Sequence, residues 1–322
     1  MSATNMLPAV SLFAGTVHAY FAPVDRTNGV PLAFDPAAMG RFDLRVPPAG
    51  WIHAGAIASL KRNAGEGWKP VWSGTPAMIQ SQGRASVEET IEVVLPAWTR
   101  LAVALSSGAQ TMNLLKTTTD AIANPSGGTA VASEVIGSGS TATVLHLPST
   151  TLVQAGDVLV VDVDYNGETG FAGSGAAGAY VATVPENPDV DFVRRVSFNV
   201  ARVLSVSDGV ITLVTALPAG VPDVGMKASV VEGFVDRNGG SFTQEWSALF
   251  VVDGFQGDRM LLHYPRLQPA GQGAAEMAED IANGVTRWRP VARMRALPVA
   301  DAVDGVHAVC FRSYLPAAMR QV

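Results

Sequence analysis

The sequence has a single cysteine, Cys310, among its 322 residues. One cysteine excludes an intrachain disulfide framework and a zinc cage built from thiolates. Cys310 alternates with apolar neighbours, and this pattern predicts a buried, unreactive thiol. Histidines are almost as scarce, since the chain has five, and none has the spacing of a metal-binding motif. We therefore expect no metal site.

Charged side chains are also few, at 16% of the residues against 48% hydrophobic ones. The net charge is −6, whereas general binding of duplex DNA needs clustered lysines and arginines. So small a charged fraction fits either an ordinary well-packed β protein or a protein that buries area against partners.

Long apolar runs are absent. No segment approaches the roughly 20 uninterrupted apolar residues that span a membrane. The first residues lack the basic region of a secretion signal, and Pro8 interrupts their apolar stretch. We therefore expect no membrane contact, and folding in a cytoplasm.

Turn-forming residues are abundant, with 32 glycines and 20 prolines between short apolar runs. This composition is too apolar for disorder and too rich in turns for a helical bundle, so it predicts a mainly β protein. Asp208 and Gly209 give a strong hairpin signal between two alternating segments. A short helix is predicted over Ala274–Ala282, ending near Asn283 and Gly284.

Residues 84–109 give the clearest local pattern in the chain. Apolar and polar residues alternate over the first half, as in a half-buried strand, and Pro96 then fits the first turn of a helix. Gly108 is a suitable end for that helix. The helix has one apolar stripe, formed by Trp98, Leu101, Ala102 and Leu105. The sequence thus predicts one helix packed against a sheet.

Charge divides the chain into parts. Residues 126–225 hold 3 basic and 10 acidic side chains, whereas the flanking parts are close to neutral. Asn124-Pro125-Ser126-Gly127-Gly128 marks a boundary by its composition. We therefore expect a β core built from residues 1–125 and 226–322, with an acidic all-β domain inserted at 126–225.

The segment Lys61–Gly74 is predicted to be a long loop that follows a strand at Ile52–Leu60. It contains glycines and two tryptophans, Trp68 and Trp72. An aromatic loop of this kind is either folded onto its own domain or held by a neighbouring molecule.

Two motifs suggest ligands but do not meet their requirements. Residues 173–178 match GxGxxG, yet a β-branched segment with prolines follows, so no helix can start there to face a pyrophosphate. Residues 162–167 copy the first half of a calcium loop, but Gly173 stands where the bidentate glutamate belongs. A hairpin turn with outward-facing acids is the favoured interpretation. We expect no cofactor.

The sequence offers no catalytic group either, since no GxSxG elbow is present. Glu88 and Glu92 share the exposed face of their strand, where a solvated surface is favoured over an acid–base pair. Acids elsewhere in the last third balance its basic cluster, so salt bridges between subunits are favoured over a nucleic-acid surface. The cluster comprises Arg287, Arg289, Arg293 and Arg295. We expect no enzyme.

The order of these elements resembles a tail tube protein of a tailed bacteriophage. The resemblance runs over residues 50–63, 84–108, 241–267 and 292–316, and with the segment between the first two it covers about two-thirds of the chain. It implies a β-sandwich or barrel core with one flanking α-helix. The insertion at 126–225 departs from the short members of that family.

The resemblance also implies a function. Such subunits form a ring, here hexameric or pseudo-hexameric, and stacked rings form a tube through which DNA and the tape-measure protein pass. The protein would contact itself and other tail proteins, let DNA pass without specific binding, and reside in the virion after assembly in the host cytoplasm. The resemblance places Lys61, Arg62, Trp68 and Trp72 in a loop that reaches a neighbouring ring. Glu88 and Glu92 are expected on a lumen or subunit-contact face.

Two other function classes stay open from the sequence. A capsid decoration or head–tail joining protein would share the virion context but would bind a capsid lattice or a joint instead of forming a tube. A β-rich ligand-binding module would use residues 175–180 in a ligand loop, with carbohydrate as one candidate.

Overall fold

The computed structural model describes residues 15–24, 29–107, 110–118, 123–127, 134–163, 170–177, 179–181, 196–237, 244–255, 257–270, 275–282 and 284–317. The protein is mainly β, with antiparallel sheets and a sandwich-like arrangement, as the sequence predicts, and these ranges contain one helix of more than a single turn.

The elements are numbered along the chain. The first part holds β1 (Val17–Pro23), α1 (Pro36–Met39), β2 (Ile52–Ala56), β3 (Ser59–Ser73), β4 (Met78–Val94), α2 (Arg100–Ser107) and β5 (Gln110–Leu115). The middle part holds β6 (Glu134–Val135), β7 (Val144–His146), β8 (Val158–Asp162), β9 (Gly170–Ala172), β10 (Ala179–Val181), β11 (Val200–Ser207), β12 (Val210–Leu213) and β13 (Lys227–Arg237). The last part holds β14 (Trp246–Asp253), β15 (Arg259–Pro269), β16 (Ala275–Ala282), β17 (Val285–Ala296), β18 (Val299–Ala300), β19 (His307–Ala308) and β20 (Phe311–Leu315).

The larger sheet has nine strands and joins both ends of the chain. Its order is β2-β1-β14-β15-β17-β4-β3, with β16 also paired to β17 and β20 to β15. The central strand β14 is buried on both faces, which explains its nearly continuous apolar sequence. Strand β15 pairs with β20 through its first half and with β17 through its last residues.

Side-chain alternation along the central strands separates two cores. Ala19 and Phe21 of β1 contribute to one core, which also contains residues from β4, β14, β15, β17 and α2; we call it the main core. Tyr20 and Ala22 point to the opposite face, into a smaller core that contains Trp51. Burial of apolar surface on both faces stabilises this part of the sheet.

The predicted helix is confirmed with a later start. Helix α2 spans Arg100–Ser107, and Thr99 caps it, because its hydroxyl accepts a hydrogen bond from the Ala102 amide at 3.2 Å. Leu101, Ala102 and Leu105 are buried in the main core. Trp98 does not share their stripe, since it precedes the helix and is 52% exposed.

A second sheet of seven strands has its own core. Its order is β5-β13-β8-β11-β12-β7, with β6 paired to β13. The predicted hairpin is present, and its turn uses positive φ angles at Asp208 and Gly209. The sheet includes β5 and β13, which lie outside residues 126–225. The division of the chain into domains at those positions stays a prediction.

Two segments differ from their predicted structure. Ala275–Ala282 is strand β16 and not a helix, because its ladder to β17 outweighs the local helix propensity. Lys61–Gly74 is not a loop after a strand at Ile52–Leu60: residues 59–73 form strand β3, paired with β4 along its whole length. Among the described residues β4 is its one strand partner, so β3 lies at the edge of the sheet.

Asp162 is buried, so the prediction of a hairpin turn with outward-facing acids is wrong for this residue. Its carboxylate accepts hydrogen bonds from the Ser174 amide at 2.9 Å, from the Ser174 hydroxyl at 2.9 Å and from the Ser197 hydroxyl. Burial raises the pKa of Asp162, and these hydrogen bonds oppose that effect. Residues 164–167 of the motif lie outside the described residues.

Candidate assembly surface: two β arms

Strands β3 and β4 extend far beyond the sheet as a two-stranded ribbon. Strand β17 pairs with β4 only over Thr90–Val94, so within the described chain residues 78–89 of β4 have β3 as their partner. At about 3.3 Å per residue, the ribbon reaches about 40 Å past Thr90. We call residues 63–89 the long arm.

One face of the long arm continues the inner face of the sheet. Residues two apart share a face, so Leu60, which packs on the main core, lies on the same side as Trp68 and Trp72. The pairing of β3 with β4 has two register shifts, and in each of them the additional residue belongs to β4. Side chains along β3 therefore alternate between the two faces without interruption. Trp68 and Trp72 are 51% and 58% exposed. The arm thus presents an apolar face without a covering element in the described chain.

The arm has four other exposed large apolar side chains, Val71, Met78, Ile79 and Val87. Ile79 lies opposite Trp72 and Val87 lies opposite Glu66, so both share the face of the tryptophans, whereas Val71 and Met78 lie on the opposite face. Arg84 lies over the Trp68 ring at 5.5 Å and forms an ion pair with Glu66 at 2.9 Å. The cation orders the Trp68 ring on the ribbon surface.

A buried polar group holds the base of the long arm. Glu89 Oε1 accepts hydrogen bonds from Arg62 Nε at 3.0 Å, from Arg62 Nη2 at 2.5 Å and from the Tyr264 hydroxyl at 2.6 Å. Burial disfavours the Arg62 charge, but the bonds to Glu89 and Tyr264 outweigh it and raise the pKa of Arg62. Burial and Glu89 also raise the pKa of Tyr264. Arg62 is therefore committed to its own chain.

The remaining predicted site residues lie on the opposite face of the ribbon. Lys61 and Glu92 are cross-strand neighbours with an ion-pair distance of 3.7 Å. Arg293 also binds Glu92, at 2.9 Å. Glu88 lies opposite Gly65 and is exposed. Of the residues assigned to the neighbour contact, Trp68 and Trp72 therefore lie on the apolar face, whereas Lys61 faces the other way.

Strands β16 and β17 form a second, shorter ribbon. Its tip carries Gly284 at a φ of 76°, and β4 accompanies β17 only from Val291 onward. Alternation from Ala292, which is buried in the main core, places Trp288 on the same inner face. Trp288 is 53% exposed. We call residues 276–282 and 284–290 the short arm.

The two arms point in opposite directions along the strand axis. In the antiparallel pairing of β4 with β17, Val94 lies opposite Val291 and Thr90 lies opposite Arg295. The long arm leaves the sheet beyond Thr90, and the short arm leaves it before Val291. Each end of the sheet therefore presents exposed tryptophan on the same inner face.

Among the described residues no three His, Cys, Asp or Glu side chains are grouped to hold a metal ion. The GxGxxG stretch lies between β9 and β10, so a strand and not a helix follows it. Nor does any helix among the described ranges have the length and apolarity to cross a membrane.

Sequence reasoning missed Glu89, although a signal was present. Glu89 is in phase with Ile91 and Val93, both buried, whereas Glu88 and Glu92 occupy the alternate positions. A carboxylate on the apolar side of a strand predicts a buried ion pair. The partner Tyr264 lies 175 residues away, and no local pattern could have identified it.

Comparison with known proteins adds no family assignment. No protein-family model matches the chain, and no curated protein matches it significantly.

Proposed function

We propose that this chain is a structural protein that assembles with copies of itself into rings and stacked rings, as the tail tube subunit of a tailed bacteriophage. The observation that carries the proposal is the long arm with Trp68 and Trp72 exposed on the continuation of the inner sheet face. In this role the chain is not an enzyme, and it needs no cofactor.

The physical argument begins with the stability of the ribbon. An isolated two-stranded hairpin is marginally stable in water, and a ribbon of this length needs a further partner surface. Exposed apolar area on a flat ribbon is also an aggregation hazard unless another molecule covers it. A partner that covers the ribbon would both stabilise it and remove its apolar surface from water.

A second copy of the chain suits the arrangement of the arms. Opposed surfaces at the two ends of one sheet favour head-to-tail contacts, which close into rings or continue as filaments. A symmetric dimer would use one end and leave the other exposed. Ring closure and stacking use both ends.

The charge balance fits a conduit. DNA must pass through a tube without being held, and a neutral or acidic wall grips phosphates less than a basic one. The net charge of −6 agrees with this requirement. On this proposal the outer face with Glu88 and Glu92 is a lumen wall or a contact between subunits, and tape-measure and other tail proteins are further partners.

Electron microscopy of the purified protein tests the proposal, together with sedimentation at increasing concentration. We expect rings or rods from the wild type. Trp68→Ala combined with Trp72→Ala should leave folded monomers, whereas Phe255→Ala, which truncates an exposed aromatic residue on the β14–β15 turn, should assemble as wild type does.

One outcome would reject the tube, and another would reject the role of the long arm. A wild-type protein that stays monomeric at high concentration would favour a capsid decoration protein, a head–tail joining protein or a ligand-binding module. Rods that form equally well without Trp68 and Trp72 would remove the long arm from the contact.

A further inference from the structure

Two histidines that are distant in the sequence meet on the surface of the larger sheet. His18 Nδ1 lies 3.2 Å from His53 Nε2, and the two rings are stacked with centroids 5.4 Å apart. The residues are separated by 35 positions, so neither belongs to a sequence motif. We propose that His18 and His53 form a two-nitrogen binding site for a divalent late transition-metal ion.

The strand pairing brings the two side chains together. Tyr20 of β1 lies opposite His53 of β2, and a register shift follows between Ala19 and Tyr20. His18 is two residues from Tyr20 and shares its face, so His18 and His53 become diagonal neighbours. The additional residue of the bulge is Ala54, next to Gly55, whose φ of 94° suits glycine.

Contacts below the pair limit the positions of the rings. The Tyr20 ring stacks on His53 with centroids 4.7 Å apart, and the Tyr20 hydroxyl donates a hydrogen bond to the Leu44 carbonyl at 2.7 Å. Tyr20 is fully buried, whereas His53 is exposed and His18 is half-buried. The site therefore has an ordered floor and is open to solvent from above.

The separation of the nitrogens suits chelation. Metal–imidazole bonds of about 2.0–2.1 Å at tetrahedral or octahedral angles span roughly 2.9–3.4 Å between two nitrogens. The observed 3.2 Å lies within that span, so small ring rotations bring both lone pairs onto one ion. Water would complete the coordination shell on the open side.

A site that supplies two nitrogen ligands and leaves the other coordination positions to water imposes little geometry on the metal. Its preference among metal ions is therefore set by their intrinsic affinity for nitrogen. Imidazole suits zinc, copper and nickel, and affinity rises along the first row to a maximum at Cu²⁺. Hard cations such as Mg²⁺ and Ca²⁺ prefer oxygen ligands and are disfavoured. The site should thus bind Cu²⁺ more tightly than Ni²⁺ or Zn²⁺ and should ignore Mg²⁺.

Titration of the full-length protein with CuCl₂, followed by calorimetry and electron paramagnetic resonance, tests the site. We expect one Cu²⁺ ion to bind tightly per protein chain and to give a resonance spectrum with nitrogen hyperfine coupling from two imidazoles. His18→Gln and His53→Gln should each lower the affinity for this Cu²⁺ ion at least tenfold. The double variant should bind Cu²⁺ no more weakly than either single variant, because the one histidine left in a single variant cannot chelate. His307→Gln removes an exposed histidine on β19 and should leave the affinity for this Cu²⁺ ion unchanged.

The same variants decide against the proposal if it is wrong. Equal Cu²⁺ affinity in wild type, His18→Gln and His53→Gln would mean that the pair is only a hydrogen-bonded contact. Circular dichroism without metal checks the fold, and if one variant is misfolded the other decides. Thermal unfolding gives an independent measurement: NiCl₂ should raise the melting temperature of wild type and His307→Gln but not of the two pair variants.

Discussion

Tyr264 and Glu89 join two strands that are not neighbours in the sheet. The Tyr264 hydroxyl on β15 lies 2.6 Å from Glu89 Oε1 on β4, although β17 separates these strands in the sheet order. Both side chains lie on the inner face of the sheet, where Tyr264, Ile91 and Val93 belong to the main core. Arg62 forms an ion pair with Glu89 and donates a hydrogen bond to the Tyr264 hydroxyl. These contacts fix the position at which the long arm leaves the sheet.

Replacing Glu89 should destabilise the protein without altering its surface. Glu89→Gln leaves the guanidinium of Arg62 without its counter-charge in a mostly buried position, and we expect a loss of about 2–3 kcal/mol in the free energy of unfolding. Urea denaturation measures it. Glu88→Gln is the matched control, because this exposed neighbour should change stability by less than about 0.5 kcal/mol. Equal effects of the two substitutions would contradict the role of Glu89.

His263 should make the protein sensitive to mild acid. Its ring lies among Phe34, Trp51 and Phe311, and burial lowers the pKa of His263 to about 4. Above pH 6.5 the ring is neutral in both folded and unfolded chains. Between pH 6.5 and 4 only the unfolded chain takes up the proton, so stability falls as the pH falls.

The loss attributable to His263 should reach up to about 3 kcal/mol and level off near pH 4. Chemical denaturation at a series of pH values measures it. His263→Leu should flatten this part of the profile, while His307→Leu, at an exposed position, should keep the wild-type slope. A His263→Leu profile that is still as steep as that of wild type would assign the acid sensitivity to other groups.

The opposed arms allow a mixing experiment. Trp68→Ala with Trp72→Ala should disable the long-arm end, and Trp288→Ala should disable the short-arm end. Neither protein should assemble alone. If contacts run head to tail, an equal mixture should form discrete pairs through the one intact combination of ends, as analytical ultracentrifugation would detect.

The mixture also distinguishes the modes of association. Pairs in the Trp288→Ala sample alone would indicate that long arms contact each other symmetrically. Long rods in the mixture would show that one intact combination of ends is enough for extended assembly, in contradiction to the head-to-tail mode.

Phe198 couples the middle of the chain to the main core. Its ring contacts Trp246 with centroids 5.4 Å apart, and the Arg100 guanidinium lies 4.1 Å from its centre. Phe198→Ala should lower the free energy of unfolding by about 3 kcal/mol, since a buried aromatic residue is lost and a cavity remains. Leu204→Ala, on the exposed side of β11, should cost far less. Thermal and urea unfolding of both variants would measure the difference.

The sequence alone determined the local elements whose pattern was unambiguous. Leu101, Ala102 and Leu105 lie at helical spacing and pack into the main core, although Val103, Ala104 and Ser106 of α2 are buried as well. Asp208 and Gly209 accept the positive φ angles of a tight hairpin, so that turn followed from residue type. The mainly β class followed from short alternating runs between glycines and prolines.

Only the tertiary structure decided what distant residues do together. Glycines between Lys61 and Gly74 resemble a loop until β4 pairs with them, and Ala275–Ala282 favours a helix until β17 supplies a ladder. Register likewise placed Glu89 against Tyr264 and His18 against His53. The physical reason is that helices and turns are set by neighbouring residues, whereas a strand receives its partners, and therefore its function, from segments far along the chain.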